Sequence, residues 1–76
     1  MSSDLPPLPD LPAGKFRHYK GREYEVLAVV RHSESLEPMV LYRACYGEHG
    51  LWVRPHAMFV ESILINGTPT PRFTRC

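Results

Sequence analysis

Three features of this 76-residue chain predict an all-β fold. Apolar and polar residues alternate along several short runs, as they do on a half-buried strand. Turn-forming residues, glycine above all, separate those runs. The stretch Leu51-Trp52-Val53-Arg54-Pro55-His56-Ala57-Met58-Phe59 reads as a short strand that a proline stops, followed by one apolar helical turn.

Residues 1–13 hold four of the eight prolines. Proline has no backbone donor and fixes φ, so this stretch is expected to be a flexible leader outside any sheet interior. Its Pro6–Pro9 and Pro9–Pro12 spacings match PxxP, a short motif that presents a polyproline II ridge. Gly14–Tyr19 is the first predicted strand, with Phe16 and His18 opposite Arg17 and Tyr19. Lys20-Gly21 turns the chain. Tyr24–Arg31 is the second strand, with Tyr24, Val26, Ala28 and Val30 on one face and Glu25, Leu27, Val29 and Arg31 on the other. Its middle is apolar on both faces, which predicts two covers, one of them a loop, the leader or a second subunit. His32–Pro38 is polar and reads as a loop. Met39–Tyr46 is the third strand, Gly47–Gly50 a turn and Leu51–Arg54 the fourth strand. Pro55–Phe59 is the single helical turn. Val60–Ile65 is the fifth strand, and Asn66-Gly67 after it is the strongest hairpin signal in the chain. Pro69 and Pro71 confine any pairing in the tail to an edge. The sum is a single domain over 14–76, a small antiparallel SH3-like barrel of about five strands with one short helical turn before the last core strand. An α+β fold with one short helix is the alternative.

A chain of this length buries only ~60% of its unfolded surface, so its core is marginal without help. Cys45 lies in an apolar strand pattern and reads as a small buried hydrophobe; Cys76 is the last residue. Two such cysteines make no disulfide framework, which fits a reducing, cytoplasmic setting. His18, His32, His49 and His56 have no close-spaced ligand partner, so neither metal nor cofactor is expected. Dimerisation is then the leading way to enlarge the core. No apolar run reaches the ~20 residues of a membrane span, and a signal-peptide pattern is lacking. Net charge is +1, but residues 14–76 carry nine Lys/Arg against six Glu. Seven of the nine bases are arginine, whose planar fork suits carboxylates, phosphates and base edges. Arg17, Arg22 and Arg75 are expected to pair with surface glutamates.

Two clusters are candidates for chemistry. Arg31, His32, Ser33 and Glu34 offer a cation, an imidazole, a hydroxyl and a carboxylate where the second strand enters its loop. Catalysis would need the hydroxyl within reach of the base, yet His32 and Ser33 face apart on extended backbone. The second cluster is Tyr42, Arg43, Tyr46, Trp52 and Arg54 on the hairpin of strands three and four. Aromatics beside arginines compose a stacking platform, although small barrels also need large rings for their cores. Arg43 and Arg54 sit in apolar segments, where a charge needs an acidic partner or a bound anion.

The chain also resembles a known family. The residues that carry the resemblance are Gly14–Gly21 with Tyr24-Glu25-Val26-Leu27, Arg31-His32-Ser33-Glu34, Tyr42-Arg43 with Tyr46-Gly47, Leu51–Pro55 with Met58-Phe59, and Pro71-Arg72-Phe73. In that order they resemble a small bacterial family known as domain of unknown function 1653. The resemblance spans roughly residues 14–75 and implies a compact, stand-alone β domain without bringing an activity. Cys45 stands where the pattern would have an apolar residue.

The leading expectation is a non-enzymatic binding module that holds an anionic or planar ligand, namely a nucleotide, a modified base or an acidic peptide. Arg31, Arg43 and Arg54 would donate, Tyr42, Tyr46 and Trp52 would stack, and His32, Ser33 and Glu34 would shape the loop. Alternatives are a structural homodimer, or a small enzyme built on the Arg31–Glu34 loop. Nucleic acid is the weaker partner expectation, because the charge is modest for a polyanion binder.

Overall fold

The computed structural model describes residues 7–76. The first PxxP spacing begins at Pro6, so it lies partly outside the described residues. The chain runs β1 (Gly14–His18), β2 (Glu23–Arg31), β3 (Pro38–Ala44), β4 (Leu51–Pro55), α1 (His56–Phe59), β5 (Ser62–Ile65), β6 (Thr68–Pro71) and β7 (Phe73–Arg75). Five strands form one antiparallel sheet in the order β4-β3-β2-β1-β7, and β5 pairs with β6 in a separate two-stranded sheet. The fold is thus mostly β, as expected. The sheet is not closed into a barrel: β4 and β7 are its two ends.

Two differences from expectation follow from local geometry. The fifth predicted strand does not join the main sheet. Asn66 and Gly67 both have positive φ, 51° and 78°, the conformation of a tight type I′ hairpin. That turn folds Ser62–Ile65 back onto Thr68–Pro71 and leaves Leu64 and Ile65 exposed. The last core strand is instead β7, which pairs with β1 and brings in Phe73. The second difference lies inside β2. Val26 pairs with Tyr42 but Ala28 with Leu41, so the register slips by a residue between them. This bulge reverses the alternation beyond Val26. Val29, not Ala28, then lies opposite the fully buried Val40 and shares its face.

The core is a cluster of Phe16, Val26, Val40, Tyr42, Phe59 and Phe73, with Leu11 and Tyr24 packed against it. Leu11 comes from the proline-rich leader. Phe59 and Phe73 stack face to face at 4.1 Å, and Phe16 meets Phe59 edge-on at 5.5 Å. Burying side chains of this size stabilises by ~1.5–3 kcal/mol each. The helical turn exists to deliver Phe59. Pro55 ends β4 and caps α1, whose only buried residue is Phe59. Cys45 is half-buried rather than enclosed, and both cysteines are free thiols. Among the described residues, no helix is long and apolar enough to cross a membrane.

Candidate functional site

Register decides which predicted site residues meet. In β3, Val40, Tyr42 and Ala44 are buried, and they lie opposite Arg54, Trp52 and Tyr24 on neighbouring strands. Directly paired residues share a face. Trp52, Arg54, Tyr42 and Tyr24 therefore occupy the core-bearing face of the sheet. His18 and Phe73, themselves cross-strand partners, belong to the same ring cluster. Arg43 occupies the opposite face, paired in register with Glu25 and Leu51.

The three arginines consequently do not converge. Arg43 Nη2 donates to Glu25 Oε1 at 3.2 Å on the outer face. Arg31 lies at the end of β2 and donates to the Leu36 carbonyl at 3.4 Å. Arg54 sets its guanidinium 5.6 Å from the Phe73 ring centre and forms no ion pair among the described residues. Its Nε is buried without a hydrogen-bond partner. Glu61, one acid that would have suited it, instead accepts from Arg72 at 2.6 Å.

The Arg31–Glu34 loop spends its imidazole on itself. His32 Nδ1 accepts from the backbone N–H groups of Glu34 and Ser35, at 3.1 and 3.2 Å. With Nδ1 accepting, the ring N–H resides on Nε2. Ser33 and Glu34 are exposed in the turn. His18 performs the same task at the β1–β2 turn, where its Nδ1 accepts from Lys20 N–H at 3.1 Å. Burial first, and then the charges of Arg54, Arg72 and Lys20, hold the His18 imidazole below its ordinary 6.5.

Tyr42 is almost fully buried and is a core residue. Tyr46 and Trp52 are not: they are 39% and 59% exposed. Together with Ala44, Gly47, Glu48 and Gly50 they line a hollow of about 230 Å³ at the β3–β4 turn. The Tyr46 hydroxyl is 3.0 Å from that of Tyr24. Burial, and then this contact, push the Tyr24 phenol up to about 12. Arg22 lies over the Tyr46 ring at 4.3 Å. This contact was not legible in the sequence, where Arg22 read as a surface partner for glutamate; only the fold places it against an aromatic face. The glutamate pairing does occur at Arg17, whose Nη2 reaches Glu23 at 2.6 Å.

A larger hollow of about 320 Å³ lies elsewhere, between the β1–β7 edge and β6, where Arg17, His18, Thr70 and Arg75 line it. No expected site residue reaches it. Among the described residues, no group of three or more metal-ligating side chains assembles.

Comparison with known proteins places this geometry in context. Residues 14–75 match the model of a family described as "Protein of unknown function (DUF1653)". No curated protein matches the chain. Among solved structures it is similar to the crystal structure of a DUF1653 protein from Bordetella bronchiseptica. The two share 32% identity over 88% of each chain, with a TM-score of 0.80.

Proposed function

The chain belongs to the DUF1653 family of proteins of unknown function, and from that premise we propose that it is a non-enzymatic binding module for a planar ligand carrying an anionic group. The planar part stacks on Trp52 at the Tyr46–Trp52 hollow. The anionic part is received by Arg54. One observation carries the reading: an exposed indole and an arginine without an acidic partner among the described residues lie on the same face of one strand. Alternate residues of a strand are ~7 Å apart, a span suited to a ring and its charged substituent. Glu48 at the other end of the hollow repels an anion and so favours this orientation. A nucleoside monophosphate has the required chemistry, as does an acidic peptide with an aromatic residue.

The order β4-β3-β2-β1-β7, with α1 between β4 and the strand that returns to β1, supports an SH3-like reading of the fold as a partly open barrel. The two free thiols support a bacterial cytoplasmic setting. The use of His32 as a turn acceptor supports recognition over catalysis at the Arg31–Glu34 loop.

The test is titration of Trp52 fluorescence with nucleoside monophosphates, the matching nucleosides and an acidic aromatic peptide. Quenching by a nucleotide or the peptide, with nucleosides weaker, is expected. Arg54→Ala should lose the response while keeping the far-UV spectrum of the folded chain. Silence with every probe, or an unchanged response in Arg54→Ala, overturns the reading. Extended nucleic acid as the ligand requires affinity that falls steeply with salt.

A further inference from the structure

We propose that β4 pairs with β4 of a second copy across a twofold axis centred on Val53, so that Trp52 of one chain lies beside the partner's Arg54. The first ground is topological. β4 is an end strand of the five-stranded sheet, and Leu51, Trp52 and Val53 are 63%, 59% and 54% exposed. An exposed edge with apolar side chains is a template for another strand.

The second ground is which backbone groups the edge offers. Ala44 N–H donates to the Gly50 carbonyl at 3.0 Å, in the same register that pairs Tyr42 with Trp52 and Val40 with Arg54. In an antiparallel ladder such pairs alternate between bonded and non-bonded. The even residues of β4 therefore point their N–H and C=O at β3. Leu51, Val53 and Pro55 direct theirs at the open edge. Pro55 has no donor to leave unsatisfied there.

The third ground is self-complementarity. Antiparallel pairing about Val53 sets Val53 against the partner's Val53, with reciprocal N–H to C=O bonds. Leu51 N–H reaches the partner's Pro55 carbonyl, while the Leu51 carbonyl, facing the partner's proline nitrogen, receives no backbone donor. On the core-bearing face, Trp52 comes opposite the partner's Arg54, and the same contact repeats across the axis. Each is a cation–π pair, and each gives Arg54 a second aromatic partner beside the Phe73 ring of its own chain. On the other face, Leu51 and Val53 form a shared apolar strip. Such an interface is isologous and closes at two copies.

Lateral pairing adds no cover to either face of β4. Stacking on Trp52 therefore remains available, with the partner's Arg54 as an additional donor. This last point rests on the recognition reading; the strand pairing itself does not need a ligand.

Sedimentation equilibrium across a concentration series tests the pairing, with Trp52 emission followed on dilution. A monomer–dimer equilibrium is expected, with an emission change that tracks it. Val53→Pro removes an outward N–H that β3 does not use, and Val53→Lys places a charge on the strip. Both should yield folded monomers. Arg54→Ala should weaken the dimer about tenfold. A wild-type chain that stays monomeric throughout overturns the proposal, as does a dimer unaffected by both Val53 variants. A folded Val53→Lys monomer that still answers to nucleotide separates the two ideas, because it supports the pairing while showing that recognition does not depend on it. Wild-type dimers that ignore every probe leave the pairing standing and remove the recognition reading alone.

Discussion

β3 and β4 are neighbours in register and similar in composition, yet they have opposite fates. β3 buries Val40, Tyr42 and Ala44; β4 buries nothing fully, and its Leu51, Trp52 and Val53 are among the most exposed apolar side chains of the molecule. Residue type does not explain this, since Tyr42 and Trp52 are direct partners on one face. Position does. β3 has a strand on each side and receives Phe59 of α1 across its face, with Tyr42 and Phe59 ring centres 5.8 Å apart. β4 has a strand on one side only. A large ring at a sheet end has nothing to pack beneath and is free to meet a ligand or another chain.

The sharpest way to break this contrast is to remove what covers β3. Phe59 is 1% exposed and stacks on Phe73. Phe59→Ala should cost ~3–5 kcal/mol, measured by chemical denaturation, which for a domain of this size approaches its whole stability. A loss below ~1 kcal/mol would mean that α1 is not a core element.

The next comparison uses the cross-strand pair. Tyr42→Ala should destabilise by several kcal/mol, as expected for a ring 5% exposed. Trp52→Ala should cost at most ~1 kcal/mol despite removing the larger ring. Equal costs would place Trp52 in the core and contradict its availability for recognition.

The smallest effect is a pH dependence that arises in the ring cluster. The folded state holds the His18 imidazole below 6.5, so the unfolded chain binds its proton first as pH falls. The stabilisation is complete above 6.5 and diminishes below it. His18→Gln should flatten that acid limb. Tyr24 behaves in the alkaline sense: its phenol is raised from 10.0 to about 12, so its contribution is complete below 10.0 and lost as pH rises through about 12. Denaturation midpoints across both ranges check the signs. A midpoint that rises on acidification below 6.5 would contradict the placement of His18 beside Arg54 and Arg72.

Much of the fold was legible residue by residue. The alternation in Pro38–Ala44, the proline stop at Pro55 and the Asn66-Gly67 hairpin each act within a few neighbouring residues, and each appears where local chemistry puts it. The bulge after Val26 was not legible, because Leu27, Ala28, Val29 and Val30 are all apolar and fit either phase. That ambiguity also hid the side on which Arg31 would lie. The role of β7 was missed because Phe73 stands in a proline-bearing tail whose partner, β1, is distant in sequence. Within the candidate site, Tyr46 and Trp52 were found from composition, and the structure brings them to one hollow. Arg43 was selected on the same grounds as Arg54, but strand parity sends the two to opposite faces.

The sequence by itself determined the β class, the tight turns and the family, because these depend on local backbone preferences and on residues in a fixed order. Only the tertiary structure decided that the sheet stays open, that Glu25 occupies Arg43 while Arg54 pairs with no acid among the described residues, and that Trp52 faces solvent. Those outcomes depend on which strand ends the sheet and on where one extra residue shifts a register. Both are set by contacts between segments far apart along the chain, and no local pattern encodes them.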